Sequence, residues 1–129
     1  MRLIKTKGEE IMECVFCQIV AGKIPTKIVF QDKEVIAFPD INPRAPIHLI
    51  IIPRRHIPSL VHLSQADLPL IGHMIKIANQ LAKGEGIAQS GFWLVINCGK
   101  EGGQVVPHLH LHLLGRRRLS DELGCFSIP

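Results

Sequence analysis

The segment VVPHLHLHLL, residues 105–114, decides how this chain is read. In it His108, His110 and His112 alternate with Leu109, Leu111 and Leu113. On a β-strand successive side chains point to opposite faces, so this period puts three imidazoles on one side and three leucines on the other. The leucine face must pack on a core. The histidine face must look onto polar partners, because burying an imidazole without them is costly. Just upstream runs the loop Cys98-Gly99-Lys100-Glu101-Gly102-Gly103-Gln104. Gly102, Gly103 and Gln104 can turn their backbone N–H groups toward an anion there, forming a nest for phosphate oxygens.

Two chemistries suit three co-facial histidines. Two of them can share a catalytic zinc. Alternatively, one imidazole attacks phosphorus while the others supply hydrogen bonds and positive charge. The glycine-rich loop favours the second reading.

Working outward, residues 47–52 (IHLIII) are rich in β-branched residues and stopped by Pro53, which predicts a strand buried on both faces over most of its length. Residues 28–31 and 35–38, separated by Asp32-Lys33-Glu34, read as a hairpin. Residues 40–46 carry Pro43 and Pro46 and must form a loop. A short helical turn over residues 16–21 ends at Gly22. The one long helix follows Asp67 as its cap, tolerates Pro69 in its first turn and closes at Gly84. Its apolar stripe is Leu68, Ile71, Met74, Ile75, Ala78, Leu81 and Ala82. Residues 92–97 and 105–114 supply the last two strands. Five strands with hairpin-length links and one long helix predict an α+β fold with a largely antiparallel sheet.

The 129 residues fit one domain, with residues 1–12 as a flexible N-terminal extension and residues 13–129 as the domain. With 47% hydrophobic and 20% charged residues, the chain is globular rather than disordered. The start has no apolar core of signal-peptide length, and no run approaches the ~20 residues that span a bilayer, so the expectation is a cytoplasmic protein without membrane partners. The net charge of +4 comes from scattered basic residues, and only five Phe and one Trp are present, which argues against nucleic acid and for small phosphorylated ligands. Arg116, Arg117 and Arg118 either draw in acidic substrates or form a solvated tail. Cys14 and Cys17, spaced C-x2-C, read as metal ligands, half of a structural zinc site, or as redox thiols rather than a disulfide, while Cys98 and Cys125 have no assigned role. His62 and His73 read as surface residues.

The stretch from Asn97 through Gly103-Gln104 to His108-Leu109-His110-Leu111-His112-Leu113-Leu114-Gly115 resembles the signature of the histidine-triad (HIT) family. Residues 37–53 (AFPDINPRAPIHLIIIP) resemble that family's other hallmark, an Asp-Ile loop followed by a strand bearing a fourth histidine. The short tail after the triad is closest to the Hint-like nucleoside phosphoramidase branch. The resemblance implies a five-stranded antiparallel sheet with one long and one short helix, and a homodimer with a sheet continuous across subunits.

It also implies roles. His110 matches the nucleophile that becomes nucleotidylated, His112 a phosphate contact, and His48 the nearby fourth histidine. Asp40 and Ile41 match the loop that contacts ribose and base. Asn97, Gly103, Gln104 and Val105 match the phosphate side. Val105 is a departure, because many relatives carry Ser there; its backbone N–H remains. Bacterial members with the Cys pair often bind zinc through it, the His after Ile-Pro-x-x and the first triad His. Those positions are Cys14, Cys17, His56 and His108 here, implying one structural zinc per chain and no cofactor for the chemistry.

The function expected is hydrolysis of purine nucleoside 5′-phosphoramidates. The alternatives are a dinucleoside polyphosphate hydrolase or nucleotidyltransferase of the same family, a metallohydrolase with a triad-bound zinc, and a non-catalytic nucleotide-binding module.

Overall fold

The computed structural model describes residues 14–117. The expected extension over residues 1–12, together with Arg118 and Cys125, lies outside the described residues. In chain order the elements are α1 (Val15–Val20), β1 (Phe30–Gln31), β2 (Val35–Pro39), β3 (Ile47–Pro53), 3-10 turns at Leu60–His62 and Gln65–Asp67, α2 (Leu68–Gly84), β4 (Phe92–Val95) and β5 (Leu111–Gly115). The strands form one sheet in the order β1-β2-β3-β5-β4. Every neighbouring pair is antiparallel. This is the α+β architecture that the sequence predicts, with one long helix and one short one.

The sheet is covered on both sides. On one side Leu109, Leu111 and Leu113 join Val35, Leu49 and Ile51 against Met74, Ile77 and Ala78 of α2. On the other, Ile36, Phe38, Ile50 and Ile52 pack against Cys14, Phe16 and Cys17 at the start of α1. The leucine–histidine alternation therefore holds, with the leucines in the helix-side core. Truncating a wholly buried leucine such as Leu113 to Ala costs ~2–5 kcal/mol.

Three expectations shift. The helix buries Leu70, Met74, Ile77, Ala78 and Ala82, whereas Leu68 and Ile75 stay exposed. Apolar residues cover more than one stripe of α2, and contact with the sheet selects which stripe is buried. Asp67 does not cap α2. Its own backbone is already helical, and its carboxylate instead accepts hydrogen bonds from the Ser64 N–H and hydroxyl, closing a capping box on the preceding 3-10 turn. The helix ends at Gly84, but the left-handed glycine that closes it in a Schellman motif is Gly86, two residues on: Gly86 has φ +76°, Ile87 N–H bonds the Ala82 carbonyl and Gly86 N–H that of Lys83.

The histidine strand is also shorter than residues 105–114. The β3–β5 ladder runs only from Ile47↔Gly115 to Ile51↔Leu111, so β5 begins at Leu111. β4 correspondingly ends at Val95, opposite His112, rather than at Asn97. Upstream of Leu111 the chain bends over residues 106–108, where His108 N–H bonds the Val106 carbonyl, and other bonds hold it in place. Leu109 N–H donates to the Ile57 carbonyl at 2.6 Å, and His108 Nε2–H donates to the Pro53 carbonyl at 2.9 Å. His62 is exposed as expected, but His73 is half-buried and pairs through Nε2 with Asp32 Oδ2 at 2.6 Å, tying α2 to the β1–β2 turn.

Candidate active site

His48 on β3 and His110 and His112 on the histidine segment are all buried on the α1 side of the sheet. Their ring nitrogens can be assigned from their partners. A carbonyl only accepts, so His110, 2.7 Å from the His108 carbonyl through Nδ1, carries its proton there and keeps Nε2 as a lone pair. Burial pulls its pKa below the usual 6.5, although the His108 carbonyl and Asp40 oppose the shift. His110 is a neutral imidazole with one nitrogen anchored and the other available.

The His48–His112 pair has the opposite arrangement. The Arg44 backbone N–H donates to His48 Nδ1 at 3.0 Å, so the His48 proton is on Nε2. That nitrogen lies 2.9 Å from His112 Nδ1 and 3.3 Å from Asp40 Oδ2. His112 Nδ1 is thus an acceptor, and its proton is on Nε2, a buried atom with no partner among the described residues. One backbone amide fixes the direction of the whole chain and leaves an N–H at its end. Burial, then the charges of His110 and His48, push the His112 pKa down to about 3. Burial also lowers that of His48; Asp40 opposes the shift and Arg44 adds to it.

Cys14 and Cys17 Sγ and the Nδ1 atoms of His56 and His108 lie within 4.8 Å of one another. His108 Nδ1 is 3.5 Å from Cys14 Sγ, 3.6 Å from Cys17 Sγ and 3.2 Å from His56 Nδ1, and Cys17 Sγ is 3.2 Å from His56 Nδ1. A tetrahedral zinc with bonds of ~2.0–2.3 Å needs ligand atoms about 3.3–3.8 Å apart, so the spacing fits. The tautomer fits too: with Nε2–H spent on the Pro53 carbonyl, His108 presents a lone pair to the thiols. Burial, with Cys14 beside it, pushes the Cys17 thiol up to about 12, which favours the protonated thiol unless a cation replaces the proton.

Asp40, His48 and His112 form a second cluster of metal-ligating types. The tautomers set it apart. His48 Nε2 carries a proton because Nδ1 is already committed to an amide donor, so it faces the cluster with an N–H rather than a lone pair. The first cluster suits a cation, and the second suits a proton relay.

The loop over residues 98–104 departs from expectation. The N–H groups of Gly102, Gly103 and Gln104 do not face outward as a nest; they bond the carbonyls of Gly99, Lys100 and Gly99 within the turn. The Gln104 side chain is a brace, accepting from Gly99 N–H and donating to the carbonyls of Pro58 and Val106. Asn97 donates through Nδ2 to the Gly102 carbonyl at 2.7 Å, and its Oδ1 is buried without a partner among the described residues. The next backbone N–H, that of Val105, bonds no described residue.

A largely apolar cleft of about 570 Å³ adjoins this face, lined by residues that include Phe16, Ile19, Phe38, Asp40, Ile41 and Val105. Ile41 is 90% exposed and Val105 65%, which leaves apolar side chains open at the cleft. Neither His110 nor His112 lines the cleft; Phe16 connects the two, its ring 5.1 Å from that of His110 and edge-on. The structure thus brings His48, His110, His112 and Asp40 together, gathers the four candidate metal ligands nearby, and holds Ile41 and Val105 at the cleft. Sequence reasoning missed Phe16, whose only signal was its position between two spaced cysteines. It also missed the Arg44 amide, which leaves no mark in side-chain chemistry.

Residues 13–124 match the family described as "Scavenger mRNA decapping enzyme C-term binding". The purine nucleoside phosphoramidase of Escherichia coli (strain K12) is 44% identical over 112 residues, covering 87% of this chain and 94% of the relative. Protein HitA of Neisseria gonorrhoeae is 46% identical over 102 residues, 79% of this chain and 94% of the relative. Among solved structures, a HIT family hydrolase from Legionella pneumophila superposes with a TM-score of 0.81 at 45% identity, covering 82% of this chain and 95% of that one. A histidine triad protein from Clostridium difficile gives a TM-score of 0.81 at 41% identity over 84% and 94% of the two chains.

Proposed function

The chain belongs to the histidine-triad family, and from that premise we propose that it hydrolyses purine nucleoside 5′-phosphoramidates through a nucleotidyl-histidine on His110. The observation that carries this is the anchored imidazole: Nδ1–H on the His108 carbonyl leaves Nε2 free to attack. The relative named purine nucleoside phosphoramidase supports the substrate class. The cleft volume lies within the range of small-molecule sites, and its apolar walls suit a base. In this reading Asp40 and Ile41 lie toward ribose and base, and Asn97, Gly103, Gln104 and Val105 toward the phosphate, with the Val105 N–H as the loop's direct donor.

His110 Nε2 bonds to the α-phosphorus as the phosphorus–nitrogen bond breaks. The departing amine takes the His112 Nε2 proton, leaving the His48–His112 pair one proton short. His110, bonded to phosphorus and still protonated at Nδ1, then carries a compensating positive charge. Water attacks the same phosphorus, returns a proton to His112, and releases the nucleoside monophosphate and a neutral His110. Acid–base assistance of this kind contributes ~10²–10⁴-fold.

Cys14, Cys17, His56 and His108 would hold one structural zinc per chain. With four protein ligands, zinc bound there supplies a cross-link and no open position for substrate. Elemental analysis of purified protein should find one zinc per chain, and its absence, with the melting temperature of Cys14→Ala unchanged, would refute the assignment. We also propose a cytoplasmic homodimer. Strand β4 stands at one edge of the sheet order, a position that suits continuation of the sheet into a second copy. The paired thiols suit a reducing compartment, and no described helix is long and apolar enough to cross a membrane.

The deciding experiment is hydrolysis of adenosine 5′-phosphoramidate by the wild type and His110→Ala. The wild type should release AMP, and the variant should lose at least ~10³-fold. Wild-type turnover by the variant would overturn the nucleophile, and binding without turnover by both proteins would make this a nucleotide-binding module.

A further inference from the structure

We infer that the Cys14–Cys17–His56–His108 site, beyond tying the chain together, holds the nucleotide site in its working geometry through Phe16 and the His108 carbonyl. The inference rests on the metal reading above. Its first support is the weakness of α1 itself. The helix has only six residues, no side-chain cap at Cys14, no acidic residue in its first turn and no basic residue in its last. A segment this short does not persist without tertiary restraint. Yet it supplies a wall of the cleft, with Val15, Phe16 and Ile19 all lining it.

Phe16 lies between the two ligand cysteines, so whatever holds both thiols fixes its backbone. Its ring meets those of Phe38 at 5.6 Å, His108 at 5.8 Å and His110 at 5.1 Å, each edge-on. These contacts place one side chain against both the nucleophile and the cleft. The second route runs through His108. Its ring is held between the Pro53 carbonyl and the thiols, while its own carbonyl receives the His110 Nδ1–H. A shift of the His108 ring is therefore passed to the atom that orients the nucleophile. The first route acts on nucleotide binding and the second on turnover. Phe16 and His108 are thus positioning residues.

The test compares the wild type, His56→Ala and Phe16→Leu, each as the full chain. His56 is the ligand of choice because it touches neither the cleft nor His110. Four quantities are measured: zinc per chain, AMP affinity by calorimetry, kcat and KM on adenosine 5′-phosphoramidate, and amide hydrogen exchange over residues 15–21. His56→Ala should lose zinc, bind AMP at least ~10-fold more weakly, lower kcat by ~10-fold and exchange faster over α1. Phe16→Leu keeps all four ligands; it should retain zinc and lose AMP affinity by a similar factor. If His56→Ala proves unfolded by circular dichroism, the Phe16→Leu result alone decides the first route. A zinc-free His56→Ala with wild-type AMP affinity and kcat would overturn the inference, as would wild-type affinity in Phe16→Leu. A wild type that binds no zinc would refute the metal reading instead.

Discussion

His48 Nε2 lies 2.9 Å from His112 Nδ1, and the amide of Arg44 on the far side of the His48 ring determines that His48 is the donor. The bond therefore has a direction, and the His112 proton is held on Nε2, the buried nitrogen away from His48. Losing His112 removes the donor itself, for which a fall in kcat of ~10²–10⁴-fold is expected. His48→Ala leaves that donor but frees the ring to turn and change tautomer, so a smaller loss in kcat with little change in KM follows. The two residues act as one unit, so the double variant should be no worse than His112→Ala alone. Steady-state kinetics of the three variants checks this, and multiplicative losses would break the relay.

The same burial that keeps His112 neutral makes the fold sensitive to acid. Its pKa falls from 6.5 to about 3 on folding. Between those values the unfolded chain binds the proton and the folded chain does not, so stability falls as pH drops through that window. At pH 5 the cost from this residue is about 2 kcal/mol, at 1.36 kcal/mol per unit below 6.5. Denaturant titrations at pH 7 and pH 5 should show a difference smaller by about that amount in His112→Asn. An equal difference in both proteins would mean that His112 is not the buried neutral group.

Much of this was legible from residues 105–114 alone. The alternation separates a core face from a chemical face whether or not a ladder forms there, and for that reason the faces were right while the strand limits were not. The ladder stops at Ile51↔Leu111, two residues short of the end of β3, and the Pro53 carbonyl takes the His108 ring instead; partners more than fifty residues away in sequence decide this, which the histidine segment cannot reveal. The cysteine pair was legible because spacing is a local property. The roles of Phe16 and Arg44 were not, since one depends on what α1 packs against and the other on a backbone amide that every residue but proline possesses. The glycine-rich loop misled for a related reason: composition allows a nest, but φ and ψ decide where its N–H groups point.

Gln104 should consequently behave as a structural residue in the glycine-rich loop. Its side chain makes three hydrogen bonds, reaching Gly99, Pro58 and Val106. At a typical net value of ~0.5–1.5 kcal/mol each, Gln104→Ala should cost about 1.5–4.5 kcal/mol of stability. Gln104→Glu, which keeps the acceptor but replaces the donor, should recover only part of that. Thermal melting of both variants checks the order, and an unaffected Gln104→Ala that loses only substrate affinity would show the side chain acting on the ligand.

The glycines beside it should not be equivalent. A Cβ on Gly102 would lie 2.2 Å from the Cys98 carbonyl oxygen and 2.9 Å from its nitrogen, both backbone atoms that cannot swing aside. Gly102→Ala must therefore move the turn itself, and with it the Val105 N–H and the Asn97 side chain bonded to the Gly102 carbonyl. Gly103 has φ +81° but open contacts, its nearest neighbour being Asn97 Nδ2 at 3.5 Å, so Ala there costs only the left-handed conformation, ~1–2 kcal/mol. Both variants should keep a folded core, because the loop contributes no residue to the leucine-side cluster. In kcat/KM, Gly102→Ala should lose ~10-fold or more and Gly103→Ala less. The reverse order would mean that the φ of Gly103, rather than the close approach at Gly102, sets the phosphate side of the site.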